Sequence, residues 1–218
     1  MAKEKSIFLC NECGYESPKW AGKCPSCGAW NSLVERVVRS SPQSRTTLAG
    51  DARQQTQPVL IDTVSTDEMP RIDLRDAELN RVLGGGLVPG SMVLLGGEPG
   101  IGKSTLVLQT VLNMPERRVL YVSGEESARQ IKLRADRIEH PRSGCMIVCE
   151  TLLETIFTHI KNVAPEIVVI DSIQTMCSET VDSSAGSMSQ VRECAAMLLK
   201  YAKEHNVPVI LIGHITKD

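Results

Sequence analysis

At 218 residues, with 42% hydrophobic and 23% charged side chains, the chain has room for one full domain and a small appendage, in the proportions of a globular protein. Only 3% of residues are aromatic, so the core has to be aliphatic. The formal net charge of −2 excludes an overall positive field, and any nucleic-acid partner must be held by a local patch. Neither the opening MAKEKSIFLCNECG nor any later stretch resembles a signal peptide or approaches the ~18 apolar residues of a membrane helix, so a cytoplasmic protein with no membrane partner is expected.

The first piece, residues 1–34, carries Cys10, Cys13, Cys24 and Cys27 in the pattern C-x₂-C-x₁₀-C-x₂-C. Each pair places two thiolates on one turn, and two turns complete a tetrahedron, so a closed structural Zn²⁺ site is expected. A ten-residue gap leaves hardly any core, and the metal has to supply the folding energy of this knuckle. Trp20 and Trp30 are expected to pack over the sulfurs; the alternative is a contact surface for a protein or for single-stranded DNA, on which they would stack with Lys19 and Lys23 beside them. The other cysteines, Cys145, Cys149, Cys177 and Cys194, lack ligand spacing and read as small core or loop residues.

Residues 35–66 turn to Ser, Thr, Gln and Arg and read as a linker, with Val59 to Val64 as a candidate edge strand. From residue 67 to 218 short apolar runs alternate with amphipathic stretches, the rhythm of βαβ units. Strands are expected at Ser91 to Gly96, Arg118 to Ser123, Cys145 to Cys149, Ile167 to Asp171 and Pro208 to Gly213. Helices are expected near Lys103 to Asn113, Ala128 to Ile138, Leu152 to Val163 and Met188 to His205. Runs such as IVVID are apolar on consecutive residues, which means a mostly parallel sheet covered by helices on both faces.

Gly97 to Ser104 reads GEPGIGKS, a full P-loop placed between an expected strand and an expected helix. Its glycines let backbone N–H groups converge on phosphate, and Lys103 would neutralise the β- and γ-phosphates. The Ser104 hydroxyl would ligate Mg²⁺ together with Asp171, which ends the strand IVVID. Gly97, Glu98, Pro99, Gly100, Ile101, Gly102, Lys103, Ser104 and Thr105, with Asp171, are therefore the expected ATP-binding set. Glu125, just past the strand VLYVS, is the expected group that orients the attacking water, while Glu126 reads as a helix cap.

Taken together, LNRVLGGGLVPGSMVLLGGEPGIGKSTL, YVSGEES, IVVIDSIQT, VILIGHITKD and the knuckle CNECGYESPKWAGKCPSCGAWNSLVE resemble the RadA (Sms) family of bacterial DNA-repair ATPases, relatives of RecA and of the hexameric helicase DnaB. The resemblance implies a RecA-like P-loop NTPase core with a Cys₄ zinc knuckle, with Lys103 and Glu125 as catalytic residues and His214 where a nucleotide-state sensor sits. It further implies DNA-dependent ATP hydrolysis on recombination intermediates, in branch migration or strand extension, with single-stranded or branched DNA, recombinase or replisome proteins and a homo-oligomeric ring as partners. The first DNA loop would be Ser172 to Gln190, although it holds nothing basic up to Gln190. Family members continue past ITKD through further strands, a KNRFG motif and a Lon-like domain, so a truncated core is expected.

Other readings fit less well. A GTPase needs D-x-x-G and N/T-K-x-D, and neither is met after Asp171 or at Thr216-Lys217-Asp218. A small-molecule kinase needs an Arg-rich lid, whereas Arg129, Lys132, Arg134 and Arg137 read as a solvated helix face. A KaiC-like regulatory assembly without a DNA role remains the alternative.

Overall fold

In a computed structural model of the protein, the described residues are 5–12, 14–38, 60–63, 70–138 and 144–215. They fall into two compact units, one up to Met69 and one from Pro70 onward. None of their helices is long and apolar enough to cross a membrane.

The first unit is a three-stranded antiparallel sheet of β1 (Lys5–Cys10), β2 (Glu16–Ser17) and β3 (Leu33–Val38), in the order β2-β1-β3. β1 pairs with β3 over its full length, from Lys5↔Val38 to Cys10↔Leu33, so this unit runs past residue 34, where the knuckle was expected to end. Its small core is Cys10, Cys24 and Leu33, with Phe8 and Ala21 against them. Two tight turns repeat one hydrogen-bond scheme. The N–H of Gly14 donates to Cys10 O, and that of Gly28 to Cys24 O. In return Cys10 N donates to Tyr15 O, and Cys24 N to Ala29 O. Gly14 and Gly28 have φ of 72° and 75°, which side chains rarely adopt, so each Cys-x-x-Cys needs the glycine that follows it.

Of the expected edge strand at Val59 to Val64, Ile61–Thr63 form a 3₁₀ turn, and Val59 and Val64 lie outside the described residues.

The second unit is a five-stranded, all-parallel sheet. It comprises β4 (Met92–Gly97), β5 (Val119–Ser123), β6 (Cys145–Cys149), β7 (Ile167–Asp171) and β8 (Val209–His214), ordered β4-β8-β7-β5-β6. Every residue of β5 and β7 is buried, as strands covered on both faces must be. Alternation assigns the faces. Tyr121, Val169, Ile210 and Ile212 join Val107, Leu108 and Val111 in one core cluster, while Val122, Ile170, Val209 and Leu211 join Ile156, Ile160 and Leu198 in the other. α2 (Lys103–Leu112) and α3 (Ala128–Ala135) supply the first face, and α4 (Leu153–Val163) and α5 (Met188–His205) the second. A short helix, α1 (Ala77–Val82), is an element that the sequence reading did not include; Asp76 caps it by accepting from Leu79 N at 2.9 Å.

This order decides where chemistry can gather. β8 inserts between the strand that enters the P-loop and the strand that ends in Asp171, and β5 lies on the far side of β7. The C-terminal ends of four neighbouring parallel strands therefore present Gly97, His214, Asp171 and the residues after Ser123 along one edge.

Candidate nucleotide and metal sites

The connection from β4 to α2 is exposed from Glu98 to Gly102. Gly100 and Gly102 turn it with φ of 81° and 95°, and Gly102 is the N-cap of α2. That cap makes no side-chain hydrogen bond and the first turn holds no acidic residue, so the leading N–H groups of α2 are left for an anion. Thr105 is exposed on the first turn. Ile101 sits outermost at 63% exposure.

Lys103 is buried, and its Nζ donates to the carbonyls of Gly97 and Glu98 at 2.8 Å each. It also lies 3.3 Å from His214 Nδ1. An ammonium only donates, so Nδ1 must accept, and the ring proton then belongs on Nε2. Nε2 in turn lies 3.1 Å from Glu125 Oε1, to which it donates. The same carboxylate oxygen accepts from Ser172 Oγ at 2.5 Å. Glu125 is thus held from two sides, by the residue after Asp171 and by the end of β8.

Asp171 is buried and carries one partner on each oxygen. Ser104 Oγ donates to Oδ1 at 3.0 Å, and Tyr121 Oη donates to Oδ2 at 2.5 Å. Burial, with the Asp171 carboxylate beside it, pushes the Tyr121 phenol far above its ordinary range, so it stays protonated and donates. Tyr121 was not among the expected site residues. Its one sequence signal is a lone tyrosine in an otherwise apolar strand, VLYVS.

A hydroxyl and a carboxylate held 3.0 Å apart are hard oxygen donors that suit Mg²⁺, and the glycine turn with the uncapped helix suits a polyphosphate. Glu126 is not a cap. The N-cap of α3 is Ser127, in a capping box with Gln130. Glu126 N donates to Ser123 Oγ, and its carboxylate lies 2.7 Å from Arg134, an ion pair held by proximity and not by an aligned hydrogen bond. On the same helix Lys132 pairs with Asp136. Glu125, Glu126 and Glu150 also line a recess of ≈ 300 Å³ at the ends of β5 and β6.

The Ser172 to Gln190 segment is built around Gln190, which is 2% exposed. Its Nε2 donates to the carbonyls of Ser178, Val181 and Ser183, and its Oε1 accepts from Ser178 N. Ser172, Ile173, Met176 and Ser178 are buried, and the outward-facing stretch runs from Glu179 to Met188. Cys194 is fully buried, which pushes its thiol up to about 12, whereas Cys149 is exposed at the end of β6.

In the first unit the Sγ atoms of Cys10, Cys24 and Cys27 lie within 4.8 Å of one another. The 3.7 Å separation of Cys10 and Cys27 matches the edge, about 3.8 Å, of a sulfur tetrahedron with ~2.3 Å zinc–sulfur bonds. Three thiols are therefore close enough together to share one metal ion, and Cys13 lies outside the described residues. Ser32 Oγ is 3.2 Å from the Cys10 sulfur. Trp20 is 58% and Trp30 72% exposed, so neither is buried against the sulfurs as expected; the residues packed with Cys10 and Cys24 are Leu33, Phe8 and Ala21.

Residues 55–218 match the AAA domain family and residues 8–35 the rubredoxin metal binding domain family. Over its whole length the chain is 49% identical to the DNA repair protein RadA of Bacillus subtilis (strain 168), of which it covers 48%. It is 49% identical to the RadA of Pseudomonas aeruginosa and 47% to that of Streptococcus pyogenes serotype M1, with the same coverage. The chain thus spans about half the length of the curated relatives it matches. A solved KaiC-like protein from Pyrococcus horikoshii shares the fold, with a TM-score of 0.56 and 22% identity over 67% of this chain and 71% of that one. An AAA domain match over most of the chain means that it belongs to the AAA domain family, and along its whole length it is similar, at near-half identity, to RadA proteins.

Proposed function

We propose that this chain hydrolyses ATP with Mg²⁺ and couples hydrolysis to single-stranded or branched DNA during repair and recombination, in branch migration or strand extension, as part of a homo-oligomeric ring. The observation that carries the ATPase reading is the bond from Ser104 to Asp171, 3.0 Å, which ties the P-loop to the neighbouring-strand carboxylate, with Glu125 tethered to Lys103 through His214. The DNA part rests on the RadA relatives.

Each residue has a task that follows from its present bonds. Lys103 exchanges carbonyl partners for the β- and γ-phosphates and neutralises charge there. Ser104 Oγ and Asp171 would hold Mg²⁺, which would supply positive charge to the phosphates, and Tyr121 keeps Asp171 aimed. Glu125 orients water and takes its proton, and His214 feels through Nδ1 whether Lys103 has turned to phosphate. Residues Glu179 to Met188 are the part of the expected DNA loop that a strand can reach.

The test is ATP turnover by the intact chain with and without single-stranded DNA, with GTP as competitor. Lys103→Ala should reduce turnover to background; full turnover in that variant overturns the mechanism. Glu125→Gln should keep nucleotide binding and lose ~10²–10⁴-fold in rate. Turnover indifferent to DNA would favour the KaiC-like regulatory reading.

A further inference from the structure

We propose that the exposed tryptophan face of the first unit is a stacking surface for single-stranded nucleic acid, separate from the nucleotide site and from the Glu179 to Met188 loop. Large aromatic side chains left in water mark a contact surface more often than a packing accident. Here there are two, Trp20 at 58% and Trp30 at 72% exposure among the described residues.

They form one surface because of Gly22. A methyl group at that position would lie 3.7 Å from Trp20 and 3.9 Å from Trp30, so both rings flank the same bare stretch of backbone. The backbone beneath is fixed: Lys23 and Trp30 form an antiparallel bridge, and Asn31 N donates to Gly22 O at 2.8 Å. The rings are therefore presented by a held backbone, which lowers the ordering cost of stacking.

Charge selects the partner. Lys23 Nζ lies 5.7 Å from the Trp30 ring centroid, Lys19 is one residue before Trp20, and no Asp or Glu occurs between Ser17 and Ser32. Indoles interleaved with ammonium groups, in a stretch of chain without carboxylates, suit unpaired bases joined by phosphates. Such contact is sequence-tolerant, since every base has a stacking face, and salt-sensitive.

The two tryptophans are the only ones in the chain, so intrinsic indole emission reads this face alone. The experiment titrates the intact zinc-loaded chain, without nucleotide, with oligothymidine, following emission and the anisotropy of a labelled oligonucleotide. Expected are saturable quenching, retained in Trp20→Phe and in Trp30→Phe, and binding about 5- to 150-fold weaker for each Trp→Ala variant. Lys19→Ala and Lys23→Ala should each reduce the log–log salt slope by about 0.7. Zinc content shows whether a Trp→Ala variant keeps its fold; where it does not, quenching and the lysine slopes decide. Emission that stays unquenched while anisotropy saturates, or no binding at all, overturns the proposal, and the former gives the face to a protein partner. The titration needs no hydrolysis, so its failure is distinct from a failure of the ATPase reading.

Discussion

Asp171 shows how much of a site can hang on one side chain. Ser104 takes one oxygen and Tyr121 the other, so neither lone-pair set is idle and the carboxylate cannot rotate without breaking a bond. Removing the phenol hydroxyl in Tyr121→Phe keeps the ring in the core and frees Oδ2. The apparent Mg²⁺ affinity in ATP turnover should weaken by about 10-fold, with maximal rate at saturating Mg²⁺ changed much less. An unaltered Mg²⁺ titration would make Tyr121 a packing residue only. Lys103, Ser104 and Asp171 were legible in the sequence because a P-loop is a local pattern and a carboxylate ending an apolar strand has a local context. Tyr121 was not, because its partner is 50 residues away and only strand pairing brings them together. The tether of Glu125 through His214 has the same origin: 89 residues separate them, and the order of strands closes the gap.

Elements of the second unit follow the sequence closely because their signals are local: consecutive apolar residues for the buried strands, Ser127 with Gln130 to start α3, Ser187 to start α5 and Asn206 in the left-handed region to end it. α1 has only six residues, too few for periodicity to show. Elements are also tied by their ends. Arg117 and Glu166, just before β5 and β7, pair at 2.7 Å, and Glu166 accepts from Arg118 N at 3.0 Å. That backbone bond first, and then Arg117, hold the Glu166 carboxyl below its usual 4.5. A lowered folded-state value means stability that is present above the unfolded-state value and is lost as pH falls through the folded one. Both side chains are about one-third exposed, so solvent screens the pair. Glu166→Gln should destabilise by ~0.5–1 kcal/mol at neutral pH. In chemical denaturation the difference should close as pH drops below 4.5; a gap that persists in acid would mean the pair acts by packing and not by charge.

Across the whole molecule the contacts separate a small unit that carries the Cys-x-x-Cys turns from a larger one that carries the P-loop. A unit whose described core is Cys10, Cys24 and Leu33 cannot fold on apolar burial alone. Replacing Cys24 and Cys27 with Ser should therefore release zinc and remove amide protection from β1 and β3. The thermal transition of the five-stranded unit should stay in place; retained zinc would show that the ligand set is wrong. The sequence by itself determined the chemistry that depends on spacing: two Cys-x-x-Cys turns, a P-loop, and a parallel sheet read from its apolar runs. It also carried the family resemblance on those same motifs. Only tertiary structure decided what lies beside what. The order β4-β8-β7-β5-β6 sets His214 between Lys103 and Glu125 and puts Tyr121 against Asp171. The folding of the small unit left Trp20 and Trp30 more than half exposed, where burial against the sulfurs was expected. Spacing constrains neighbours along the chain, whereas exposure and cross-strand contact depend on how distant segments pack.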